Sequence, residues 1–169
     1  MARALALTTT VSLSGSYTNA QSNSTPLDPI STVISEVLTT GTAANQADRL
    51  YHARPTVSVS STTSLDLAGS LTDTLGQAVT FVNVRGMLIR NRETTSGLEI
   101  RIGGNVNDFR SWLGATAHKV FLDAGGMLLI TSPVDGYAVT AGTADVLDLV
   151  NPSASSTVSL DVFIWGTSA

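Results

Sequence analysis

The chain has 169 residues, a net charge of -4, no cysteine and 13% charged residues, against roughly 25% in an average soluble domain. That length supports one domain with an appendage rather than two full cores, and the missing cysteines exclude a disulfide framework and a thiolate metal site. Nine thinly spread basic residues, with Lys119 the only lysine, leave no footprint for a nucleic-acid backbone.

Serine and threonine supply 43 residues, so the surface is largely hydroxyl. Such a surface repels neighbours weakly and suits chains packed side by side, as well as extracellular or crowded settings. Residues 1–7 begin like an export signal but reach Thr8, Thr9 and Thr10 after few apolar residues. A secretory signal needs an apolar core of roughly 7 to 15 residues and a membrane span about 20; neither is expected, nor is a membrane partner. Asn23-Ser24-Thr25 matches a glycosylation acceptor, and without an export signal it reads as a chance product of a Ser/Thr/Asn-rich loop.

Leu5, Leu7, Val11 and Leu13 partly alternate with polar residues. A tract over 15–29 offers few anchoring side chains and predicts a long loop or an extended arm. A short apolar piece, 30–38, follows, carrying Ile30 and Val33. Two readings of residues 1–42 stand: a first hairpin with an untidy loop, or an arm that becomes ordered by lying across another subunit. Residues 43–52 read as one or two helical turns or as extended chain, because the residue before Pro55 is pushed out of the helical region.

From there alternation is clean. Val57 and Val59 are expected on one strand face, Leu65 and Leu67 on another, and 69–76 as a loop closed by Gly76. Segments 77–84 and 86–91 read as strands; Val79 and Phe81 alternate, and Val82 and Val84 take over with an offset of one, the mark of a bulge or bend. Leu98, Ile100 and Ile102 alternate with Glu99 and Arg101. Asp108 to Gly114 reads as a single helical turn packed by Phe109, Trp112 and Leu113. Short Val, Leu and Ile runs over 125–133, 137–140, 144–151 and 157–166, separated by Asp135-Gly136 and Asn151-Pro152, predict closely spaced strands.

Counted from Val57, eight to ten strands are expected and no crossover helix of the length a parallel sheet needs. The fold class is therefore all-β, an antiparallel β-sandwich over 43–169 preceded by an N-terminal arm and loop over 1–42. The runs 127–130 and 162–165 are apolar on both faces, which predicts central strands or a position beneath an arm or neighbour.

Chemistry-bearing patterns are sparse. His52 and His118 lie far apart, and zinc wants three or four ligands. Asp48, four before His52, reads as a local salt bridge or cap. No Gly-x-Ser-x-Gly elbow marks a nucleophile, and a glycosidase would need paired carboxylates converging across a cleft. No dense acidic cluster suits calcium, and Gly103-Gly104 and Gly125-Gly126 lack a phosphate-cradle pattern. Asp66, Asp73, Asp123, Asp135, Asp145, Asp148 and Asp161 are expected mostly at strand ends, fixing turns. No enzyme, metal or cofactor is expected. Among nine aromatics, Trp112 reads as a plug at one end of the sandwich, or else as a glycan platform.

The stretch Ala47-Asp48-Arg49-Leu50-Tyr51-His52 through Leu65-Asp66-Leu67-Ala68-Gly69-Ser70-Leu71-Thr72-Asp73, with Gly76, Val79 and Phe81, resembles small tailed-bacteriophage virion proteins. So does the run from Tyr137-Ala138-Val139-Thr140-Ala141-Gly142-Thr143-Ala144-Asp145 to Asn151-Pro152. The resemblance spans roughly 43–166 and implies a jelly-roll-like virion protein, a cement or decoration protein on the capsid exterior. Its implied partners are the major capsid protein and further copies of the chain, as dimer or trimer. A tail-tube or tail-completion protein and a head-fibre or glycan-binding module remain alternatives; a small hydrolase would need three convergent polar residues in a pocket. The expected interface comprises Leu5, Leu7, Val11, Leu13, Ile30, Val33 and Trp112.

Overall fold

The computed structural model describes residues 4–104, 106–115 and 118–169. Fifteen strands and no helix occur among them: β1 Leu7–Thr18, β2 Leu27–Thr40, β3 Gln46–Ala47, β4 Arg49–Ala53, β5 Thr56–Val57, β6 Ser61–Asp66, β7 Leu71–Thr72, β8 Ala78–Val79, β9 Asn83–Asn91, β10 Ile100–Ile102, β11 Val120–Leu122, β12 Met127–Thr131, β13 Tyr137–Ala138, β14 Val146–Asn151 and β15 Val158–Thr167. Two sheets make the body. One runs β11-β10-β14-β6, the other β12-β9-β15-β4, with β13 joined to β9 and β5 to β15. Every ladder within them is antiparallel, so the chain is an all-β, sandwich-like protein.

Period-2 patterning explains the core. In the first sheet Ile100, Ile102, Leu122, Leu147, Leu149 and Leu65 point inward; in the second, Val84, Met87, Ile89, Leu160, Val162 and Ile164 meet them, all buried in one cluster. At about 25 cal/mol per Å² of apolar area removed from water, this shared layer is the dominant stabilising term. Phe81, Phe109, Leu67, Leu71, Val79 and Val57 complete the cluster.

Several expectations change. Val57 is buried, but Val59 is exposed, because the chain leaves the sheet and turns at Ser60 with φ of 47°. Val82 is also exposed; it lies in a bend between β8 and β9. The parity break falls on Arg85 instead, where Gly86 and Val84 pair with the consecutive residues Trp165 and Gly166. Residues 43–52 hold no helical turn and form β3 and β4; Asp48 accepts from Ser168 N and Oγ and pairs with Arg49 rather than with His52. The 15–29 tract is strand at both ends, since Gly15 pairs with Ile30 and Thr18 with Leu27. Strand β15 is central, and β12, an edge of its sheet, takes the other expected position, with Leu129 packed in the cluster that holds Leu5, Leu7 and Leu38 of the N-terminal arm. From Val57 onward eleven strands occur among the described residues, because four two-residue pairings add to the longer ones. Residues 110–114 close a single turn, with Leu113 N and Gly114 N both donating to Arg110 O, though no helix results.

Three aspartates fix turns, whereas Asp148 and Asp161 lie within β14 and β15 rather than at strand ends, Asp148 accepting from Ser64 Oγ and Asp161 paired with Arg54 and Arg92. Asp66 Oδ1 accepts from Ala68 N, Asp73 Oδ1 from Leu75 N and Gln77 N, and Asp145 Oδ2 from Gly142 N. Two asparagines staple the sheets together at one end. Asn91 Nδ2 donates to Leu98 O at 2.8 Å and Leu122 O at 3.0 Å. Asn151 Nδ2 donates to Val57 O, Ser58 O and Ser156 O, at 2.9 to 3.1 Å, while its Oδ1 accepts from Ser153 N.

Asn151→Ala leaves those buried carbonyls without their donor, so a loss of about 2–4 kcal/mol is expected, read as a lower urea midpoint. Tyr51 packs on the core, and burial raises its phenol above the usual 10.0. The folded chain then keeps a proton that the unfolded chain has released, so stability is complete below about pH 10 and falls as pH rises beyond it. Tyr51→Phe removes that part of the alkaline loss, measured by urea unfolding from neutral pH upward.

Candidate assembly surface

Strands β1 and β2 pair over twelve positions, from Leu7–Leu38 at the root to Thr18–Leu27 at the far end. At about 3.3 Å per residue the ribbon is about 40 Å long. A two-stranded ribbon is marginally stable by itself, and this one rests on the body only at its root. The chain's accessible surface, 9196 Å², exceeds the ~7,900 Å² expected of a compact monomer of this mass by about 1,300 Å².

Cross-strand partners share a face, so the register sorts the side chains. One face carries Leu7, Thr9, Val11, Leu13, Gly15 and Tyr17 against Leu38, Glu36, Ile34, Thr32, Ile30 and Asp28. The other carries Thr8, Thr10, Ser12, Ser14, Ser16 and Thr18 against Val37, Ser35, Val33, Ser31, Pro29 and Leu27. On the first face Leu7 and Leu38 pack against the body, yet Leu13 is 64% and Tyr17 71% exposed, and Val11, Ile30 and Ile34 are exposed too. The second face is mainly hydroxyl, with Val33, Val37 and Leu27 exposed among it.

The root sits on the outer face of the β12-β9-β15-β4 sheet. Leu50, Leu88, Leu129, Phe163 and Trp165 alternate with the inward residues of four adjacent strands, and Leu5, Leu7 and Leu38 cover part of them. Trp165 lies so close over Gly86 that a Cβ there would stand 2.4 Å from the indole. Beyond the covered part, Leu7 and Thr9 on one side and Leu50, His52, Leu88, Leu129 and Phe163 on the other line an open groove of about 370 Å³. His52 stacks on Phe163 with ring centroids 5.7 Å apart.

The bulge aims Arg85 at this root. Bulges bend the strand and redirect a side chain; here the guanidinium is buried, with Nη2 donating to Thr42 O and Ala43 O at 3.4 and 3.3 Å and Nη1 to Val134 O. It thus joins the end of the hairpin to the 132–136 turn, which Gly136 closes at φ of 74°. Asn45 N donates to Pro133 O, and Thr131 Oγ1 to Glu36 Oε1.

Of the residues singled out in the sequence, the structure places Val11, Leu13 and Ile30 together on the first ribbon face, Leu5 and Leu7 in the root, and Val33 on the opposite face. Trp112 lies apart from them, half-buried against the main core, with its Nε1 unbonded. Sequence reasoning missed Tyr17, Leu27, Ile34 and Val37 on the ribbon and Arg85 beneath it; the only signal for Ile34 and Val37 was the apolar character of residues 30–38, whose spacing does not alternate. His118 Nδ1 contacts Leu113 O, away from His52, and no group of three metal-ligating side chains occurs among the described residues. The arrangement offers contact area. A scan against protein-family models and a search of curated proteins each gave no match.

Arg85→Met preserves bulk but removes charge-assisted bonds of about 1.5–3 kcal/mol. Amide exchange at Asn45 and Gly136 is expected to rise by roughly ten- to a hundredfold, while amides of the sandwich core stay as protected as before.

Proposed function

We propose that this chain is a structural virion protein that binds and reinforces the outer surface of a bacteriophage capsid, the sandwich serving as the body and the hairpin as a clamp. The observation that carries this is the hairpin: a ribbon about 40 Å long exposing apolar side chains on both faces. Apolar patches beyond a few hundred Å² mark interaction sites, and exposed apolar side chains on each face call for neighbours on either side.

Strand order supports a jelly-roll body. Numbering the eight longer body strands β4, β6, β9, β10, β11, β12, β14 and β15 from one to eight, the sheets read 6-3-8-1 and 5-4-7-2. The first strand pairs with the last and the third lies beyond it, the arrangement of two interlocked Greek keys that recurs in viral capsid and lectin domains. The resemblance of 43–166 to tailed-phage virion proteins points the same way. Between Ala4 and Asp48 there is no lysine or arginine, which fits a protein partner rather than a nucleic acid. A ribbon flanked on both faces also fits a subunit of a tail tube or ring, the second reading.

Antibody against the chain should label the head surface of intact particles. Replacing residues 11–34 with Asn-Gly, a two-residue hairpin loop, keeps Leu5, Leu7 and Leu38 in place and should leave a folded sandwich with at least a tenfold loss of shell affinity in co-sedimentation. Labelling confined to the tail would select the tube reading, and full-affinity binding by the shortened chain would overturn the clamp.

A further inference from the structure

We infer that the groove on the outer face of the β12-β9-β15-β4 sheet is the receptor for the hairpin of a second copy of this chain, so that two copies exchange hairpins reciprocally. The inference deepens the assembly reading above by naming the clamp's first partner. It leaves the hydroxyl-rich ribbon face for the shell.

Two incomplete surfaces in one chain motivate it. The groove, about 370 Å³, is walled by Leu50, Leu88, Leu129 and Phe163, although an outer sheet face in water ordinarily alternates to polar residues. The ribbon face with Val11, Leu13, Tyr17, Ile30 and Ile34 is exposed and is continuous with the Leu7 and Leu38 pair that already packs on this same sheet within the chain. Chemistry known to fit the sheet at the root therefore continues outward on the ribbon. Its own chain cannot use it, because from Val11 onward the ribbon has left the body.

Charge and area select the occupant. The five apolar ribbon residues bring no charge; the acidic residues of their face sit at its two ends, Glu36 near the root, where it accepts from Thr131, and Asp28 at the tip, and the groove lining holds no Asp, Glu, Lys or Arg. A strongly charged partner finds no counter-charge in the groove. Two-fold symmetry lets each hairpin enter the other's groove in a single self-complementary, closed contact. Nine paired positions beyond the root span about 30 Å and a ribbon is about 10 Å wide; two such faces with their receptors bury on the order of 1,000 Å², the threshold of a specific interface. The ribbon edges also lack the lysines that normally block strand association.

Sedimentation of the full chain at micromolar concentration tests it, with Leu13→Lys on the ribbon, His52→Glu in the groove and Val33→Lys on the other ribbon face. The wild type is expected to be a dimer; Leu13→Lys and His52→Glu each weaken self-association at least tenfold, Val33→Lys does not, and mixing the first two restores a heterodimer. His52 is exposed, so that substitution leaves the fold intact, checked by its melting curve. A monomeric wild type, or a dimer broken by Leu13→Lys and indifferent to His52→Glu, overturns the exchange. A monomer that still labels the capsid defeats only this inference; a dimer absent from particles defeats only the virion reading.

Discussion

The constraint behind this architecture is a sheet that is apolar on both faces. In β15, Leu160, Val162 and Ile164 face the core while Phe163 and Trp165 face away, and Leu88, Leu129 and Leu50 extend that outer row across neighbouring strands. An apolar row of this kind loses free energy in water in proportion to its exposed area. The chain answers with its own N-terminal residues: Leu5, Leu7 and Leu38 lie over Trp165, and the hairpin departs from that contact. The cover is partial, and what it leaves open is the groove.

Direction comes from the bulge. A ladder without the extra residue at Arg85 would send that side chain to the face dictated by strict alternation; the shift between Trp165 and Gly166 lets the guanidinium reach two backbone carbonyls at the hairpin root and one in the 132–136 turn instead. A buried guanidinium without a carboxylate partner is stabilised mainly by such oxygens, and removing them strands a charge. The hairpin root and the 132–136 turn are thereby held as one unit. A ribbon that projects from a rigid root presents its apolar face in a defined direction, which lowers the ordering cost of docking.

Low charge and abundant hydroxyls acquire a structural meaning in this setting. Ser12, Ser14, Ser16 and Ser31 on one ribbon face keep it wettable, while the opposite face carries Val11, Leu13, Ile30, Ile34 and Tyr17. The proposed clamp therefore has two chemically different sides.

Period-2 runs such as Leu98-Ile100-Ile102 and the turn residues Asp135-Gly136 and Asn151-Pro152 made the all-β class and most of the body legible in the sequence, because alternation and turn chemistry are local properties. Residues 30–38 were not legible: Ile30, Val33, Ile34, Val37 and Leu38 fall at helical spacing, and only pairing with β1 divides them between the two faces of a ribbon. Val59 and Val82 looked like core and are exposed because Ser60 and the 80–82 bend take the chain out of register. Composition and periodicity by themselves determined that strands form and which side chains seek burial. The tertiary structure alone decided which strands become neighbours, where Arg85 is aimed and which apolar faces stay uncovered, since these depend on contacts between residues far apart in the chain.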